Sequence, residues 1–236
     1  MDTKNKIIIG LFIVILGLSV VTYENYITNS QNVFVGEKHV LLLCADPSEP
    51  TPGIGAVDMA FIITMNEGNI TNVTAVYPHN MAHPTAQPPA SLRAQGVSRW
   101  LLHDSLWEND TEKGARLAQE IVEYNTGKKT DIVVIVTPQA VDGILQSIGP
   151  VYVEGQGYVS GNSIQFLREE QQQGSSRGVA VQSLMRAIFN ATKDRSKYLA
   201  MVNAGLQQYQ QGNIVVVPEG AVVQFLISTG LERVGN

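Results

Sequence analysis

Two aspartates mark the places where this chain could do chemistry. Asp46 follows the apolar run Val40 to Cys44, and Asp58 stands at the start of a second run that ends at Met65. Short unbroken apolar runs read as buried strands. In an open α/β sheet, ligands collect beyond the carboxyl ends of strands. Two carboxylates brought together there suit a hard divalent cation, which takes oxygen ligands. Each acid also has a plainer reading: Asp46, before Pro47, can open an Asx turn, and Asp58 can be a surface acid. The matching cations are Arg168 and Arg177, which flank a polar Glu-Gln-Gly-Ser stretch. Arg177 opens a helical pattern, and a guanidinium at a helix N-terminus makes an anion site. A solvated arginine beside a loop fits the same letters.

The remaining candidates are weaker. His79 and His83 are four apart, a helical spacing for a metal, but they lie in the proline-containing stretch Tyr77 to Pro84, which is not helical. His103, Asp104 and Ser105 supply the letters of a nucleophilic triad, yet neighbouring side chains point apart and triads assemble in space. A turn or cap accounts for them better. The chain has no glycine-rich loop ending in Lys-Ser/Thr and no Gly-x-Ser-x-Gly elbow. Its single cysteine, Cys44, can form no internal disulfide, and no Cys/His spacing suggests zinc. It reads as a small buried apolar residue.

Strands at 40–44, 57–65, 70–77, 131–137 and 214–217 must position these groups, with an extended stretch at 151–159. Asn66 to Asn69 has the composition of a hairpin turn. Helices are expected at 111–125, 139–147, 163–173, 177–191, 196–210 and 221–228, with a short one near 98–106. Asn109 and Glu112 have capping-box spacing, Gly127 closes the helix they open, and Asp194 caps a later one. The run from Asp131 to Thr137 is apolar enough for a central strand covered on both faces. Strands alternating with helices predict an α/β fold, an α/β/α sandwich with a mixed central sheet. The long segment from Pro78 to Gly96 reads as a loop able to contact a partner protein.

The start of the chain fixes where such a domain would work. Lys4 and Lys6 precede an apolar run from Ile7, and residues 7–23 are long enough to cross a bilayer as one helix. The preceding lysines place residues 1–6 in the cytoplasm, residues 24–37 form a tether, and residues 38–236 form one extracytoplasmic domain. The expected location is thus the cell membrane, single-pass, with the domain outside. A cleaved signal peptide is the rival reading, but no small-x-small site follows the run. Four sequons, at Asn69, Asn72, Asn109 and Asn190, lie beyond the anchor. A net charge of -5 argues against nucleic acid as a partner.

The order of these pieces resembles the LytR-CpsA-Psr envelope phosphotransferases. Leu41 to Asp46 matches an apolar strand ending in Asp, Asp58 to Thr64 a strand opened by Asp, and Val76 to Asn80 a strand ending in Ile-Pro-Arg-Asp. His103 matches a histidine near a small residue. Arg168, then Arg177 to Gln182, match a late arginine and an Arg-x-x-Arg-Gln-Gln helix start. The segment Glu49 to Asp58 is closer still to an uncharacterised relative of that group, domain of unknown function 4012. The resemblance implies an envelope protein whose ligand is a polyprenyl-phosphate lipid or an envelope polymer. It implies Mg²⁺ on Asp46 and Asp58, and a ligand site from Arg168, Arg177, His79, His103 and Gln182.

Three positions depart from the pattern: His79 and Asn80 replace Arg and Asp, and Ala180 replaces the second arginine of the late helix. A charge-assisted hydrogen bond to phosphate contributes roughly 1.5–3 kcal/mol, and each missing arginine forgoes at least one. The expectation is therefore a ligand-binding envelope protein with weak, altered or no catalysis. A Mg-dependent glycan phosphotransferase or pyrophosphatase acting on lipid-linked pyrophosphates is the alternative.

Overall fold

The computed structural model describes residues 36–66, 69–154, 156–166, 177–191 and 193–222. The expected anchor at 7–23, most of the tether, Arg168 and most of the helix expected at 221–228 lie outside these residues. Among the described residues no helix is long and apolar enough to cross a membrane.

Five strands form one mixed sheet in the order β3 (Asn69–Val76), β2 (Ala56–Asn66), β1 (Glu37–Asp46), β4 (Ile132–Val136) and β7 (Ile214–Val217). β1 and β4 run parallel, and every other pair is antiparallel. β2 and β3 close their pairing at Asn66 opposite Asn69, as a hairpin requires. β4 is buried along its whole length, as its unbroken apolar letters demand of a strand covered on both faces.

Alternation sends successive side chains to opposite faces. Leu41, Leu43, Ile62, Val133 and Ile135 pack under α2 (Thr111–Thr126), through Ala115, Ala118, Ile121 and Val122. Leu42, Phe61, Ile63, Val134 and Val216 face the other way. They meet α3 (Pro138–Ile148), α4 (Arg177–Ala191) and α5 (Arg195–Gln210) through Ala140, Val181, Met185 and Val202. A third cluster joins α3, α4 and α5 to a separate hairpin of β5 (Val151–Val153) and β6 (Gly157–Val159).

Some local expectations shift. Asp110, not Asn109, caps α2, its side chain accepting from the Lys113 amide. The α2 stop is as expected: Gly127 takes φ 69° and returns its amide to Glu123. Asp194 caps α5 as expected, accepting from Ser196 and Lys197. Instead of a helix at 98–106 there is one turn at Leu102–Asp104. The segment after β3 contains a turn at Pro78–Asn80 and the short helix α1 (Ala90–Ala94). It is tied down by pairing between Ala82 and Leu101.

Candidate functional site

Parallel pairing brings the carboxyl ends of β1 and β4 to one edge, with Cys44 opposite Val136. An apolar cavity of about 120 Å³ lies there between the sheet, α3 and α4. Leu42, Cys44, Met59 and Val136 form its floor, and Val181, Leu184, Met185 and Ile188 its roof. The roof residues follow the spacing i, i+3, i+4, i+7 of a single helix face. Among the described residues, the acids that line it are Asp46 and Asp58.

The two aspartates reach this cavity by different routes. Asp46 shares the strand parity of Leu42 and Cys44, so it continues their face. Asp58 does not arrive by alternation. Cys44 pairs with Met59 while Ala45 pairs with Val57, leaving Asp58 as the extra residue of a β-bulge. In a regular ladder, Asp58 would take the face of Ala60 and Ile62, under α2. The bulge flips the phase, putting Val57 on that face and Asp58 on the cavity side. Bulges re-aim side chains in this way beside binding sites.

Asp46 also makes the Asx turn expected of it: one carboxylate oxygen accepts the Ser48 amide at 2.8 Å. The loop from Pro47 to Gly55 is held close. A Cβ on Gly53 would collide with the Leu106 carbonyl oxygen, and one on Gly55 with that of Asp46. Cys44 packs against the core as expected of a small apolar residue, and it also lines the cavity. Burial pushes its thiol up to about 12, with the nearby Asp58 charge adding to the effect. It is a neutral wall residue rather than a nucleophile.

A second groove shares Asp58 and Met59 with the cavity and runs along β2 and β3 to His79. The exposed His79 ring lies against that of His103, tilted by 38° with centroids 4.3 Å apart. His103 Nδ1 donates to the Val57 carbonyl at 3.1 Å, and Nε2 lies 3.4 Å from Glu49. Burial pushes the Asp104 carboxyl above its ordinary range. His103 opposes this, Glu49 adds to it, and His79 opposes it. His103, Asp104 and Ser105 make no triad, because the His103 ring is committed to Val57 and Glu49. His83 is engaged elsewhere: Nδ1 accepts the amides of Thr85 and Ala86, and Nε2 faces Glu120 at 3.1 Å. Among the described residues, no three of His, Cys, Asp and Glu gather to hold a metal.

Position 177 begins α4, one turn before Val181. Its side chain lies outside the described residues. Gln182 is half-buried on α4 and is not among the cavity's lining residues. Ala180 is fully buried in the third core cluster, where a guanidinium has no room. Two lining residues were not singled out by the sequence, Thr137 and Ser163. Thr137 had a signal: a Thr ending an apolar strand before Pro at the first helical position is a helix start. Ser163 had none.

No curated protein matches this chain, but solved structures share its fold. Protein gbs0355 from Streptococcus agalactiae is 14% identical over 82% of this chain and 72% of its own, with a TM-score of 0.56. TagV of B. subtilis is 11% identical, covering 83% and 80%, at 0.52. A LytR-Csp2A-Psr enzyme from Actinomyces oris is 13% identical, covering 84% and 78%, at 0.50. A family model described as "Protein of unknown function (DUF4012)" matches residues 35–171. That span runs from β1 through both aspartates and the bulge to β6, and more than half of the chain lies within it. The chain is a member of the DUF4012 family.

Proposed function

We propose that this chain is a membrane-anchored, extracytoplasmic envelope protein that binds a polyprenyl-phosphate lipid without rapid turnover. The hydrocarbon lies in the cavity and the phosphate at the mouth between Asp46 and Asp58. The observation that carries this reading is an apolar cavity whose lining includes two aspartates. Its volume, about 120 Å³, is near the ~150 Å³ of a dry cavity that takes benzene. It therefore seats about one isoprene unit rather than a whole tail.

Mg²⁺ fits the mouth. It keeps several waters and takes one or two carboxylates together with substrate phosphate oxygens. The Asx turn engages one Asp46 oxygen, leaving the other for the cation beside Asp58. Bound there, the ion would neutralise phosphate charge that the acids otherwise repel.

The binding test uses the full chain in nanodiscs and farnesyl phosphate, with and without Mg²⁺. Asp46→Asn and Asp58→Asn are each expected to weaken binding tenfold or more in Mg²⁺ and to remove its Mg²⁺ dependence. Failure of the wild-type chain to bind would refute the reading. A second reading, a Mg-dependent phosphotransferase on lipid-linked pyrophosphates, is favoured by the two acids sharing one mouth. The exposed His79 in place of arginine and the buried Ala180 weigh against it. Release of phosphate or transfer of the glycan, lost in Asp58→Ala and Arg177→Ala, would establish the enzyme.

A further inference from the structure

Two further polar residues line the cavity besides the aspartates. Thr137 and Ser163 line it at 4% and 3% exposure. Neither hydroxyl has a hydrogen-bond partner among the described residues. Buried hydroxyls are nearly always partnered, so two on one cavity need an explanation. Thr137 is the more telling. It is the N-cap of α3, a position where a Thr side chain ordinarily accepts from its own helix, yet it makes no such bond. Its backbone meets the local needs instead: the carbonyl accepts the Ala140 and Val141 amides, and the amide bonds to Asn213. Ser163 is similar, its amide bonding to Asp142 at 2.8 Å while its hydroxyl goes unused.

A hydrocarbon chain filling the mouth would leave both hydroxyls orphaned. An acceptor oxygen there would satisfy them, and the positive end of the 11-residue α3 opens at the same place, favouring negative charge. The other lining residues of the same cavity are mostly apolar. An anion with an attached hydrocarbon fits these surroundings better than a free one.

Resting on the lipid-phosphate reading above, we infer that Thr137 and Ser163 form the second half of the head-group site. They donate to an oxygen of the phosphoryl group nearest the hydrocarbon, in the cavity that Asp46 and Asp58 also line. They make the site select a prenyl phosphate over the prenyl alcohol.

The test titrates the full chain in nanodiscs, in Mg²⁺, with geranyl phosphate, geraniol and inorganic phosphate. Thr137→Val, which conserves volume, and Ser163→Ala are each expected to weaken geranyl phosphate about tenfold while leaving geraniol unchanged. Thr137→Ser should restore the affinity lost in Thr137→Val, which a merely structural role would not predict. Unfolding midpoints check that the variants fold, and Thr137→Ser serves as the folded control. Unchanged selectivity in both hydroxyl-free variants would overturn this inference and leave the lipid-phosphate reading standing. Absence of geranyl phosphate binding by the wild-type chain would overturn both. Inorganic phosphate binding as tightly as geranyl phosphate would overturn the assignment to a lipid ester.

Discussion

Asp104 sits where the neutral acid is favoured. Its carboxyl is raised first by burial, opposed by His103, reinforced by Glu49 and opposed by His79. Raised in the fold, it stays protonated to a higher pH than in the unfolded chain. Its favourable contribution is complete below the usual carboxylate range and is lost as pH rises through the folded value. Asp104→Asn should therefore raise the urea midpoint at pH 7 and leave it unchanged at pH 3. A gain of equal size at both would assign the effect to something other than ionisation. Cys44 gives the same sign at alkaline pH. From an ordinary value of 9.0 it is raised to about 12, so the folded chain loses stability from about pH 9 upward. The slope is at most about 1.4 kcal/mol per pH unit. Cys44→Ala should remove that part of the alkaline decline in urea unfolding while leaving the neutral region flat.

At the scale of elements, the bulge and the proline- and glycine-rich loop set the mouth. Asp58 takes no place in the β1–β2 pairing, whose partners on either side are Val57 with Ala45 and Met59 with Cys44. Deleting Asp58 outright should leave a regular ladder and a folded domain, with Mg²⁺-dependent binding lost. A deletion variant that cannot fold would show that the bulge holds the sheet together. Gly53→Ala places a Cβ against three backbone carbonyl oxygens of 106–108. Overpacking against backbone costs roughly 1–3 kcal/mol, readable in urea unfolding. Gly143→Ala should cost less, because the atoms nearest its Cβ belong to the end of the Gln208 side chain rather than to backbone. The strands themselves were legible: apolar runs at 40–44 and 131–137 and a turn composition at 66–69 specify β1, β4 and the β2–β3 hairpin. The site was legible only in part. Asp46 follows from strand parity. Asp58 reaches the same face through a one-residue slip, which shows in the letters only as a phase change between Val57 and Met59. The pairing of His79 with His103 depends on a turn packed against β2 from distant sequence, and no periodicity encodes it.

At the scale of the whole molecule, the direction of β1 sets a problem of reach. On the proposed reading the anchor is residues 7–23, and the chain enters the domain at Glu37, the amino end of β1. The mouth lies at the other end, beyond Asp46, and ten strand residues span about 30 Å. A lipid whose phosphate sits at the membrane surface must still meet that mouth. The tether, residues 24–37, reaches at most roughly 50 Å when fully extended, enough to let the domain tip over and turn its mouth to the bilayer. Deleting residues 26–35 leaves too little chain for that reorientation. Such a deletion should keep wild-type affinity for geranyl phosphate, which diffuses to the mouth in water. It should lose capture of a long-chain polyprenyl phosphate embedded in vesicles that also carry the protein. The comparison is made by reconstituting both chains and measuring lipid protection from an added phosphatase. Equal protection by the shortened chain would mean that the mouth already faces the membrane. Loss of geranyl phosphate binding as well would mean that the deletion damaged the domain itself, and circular dichroism would show it.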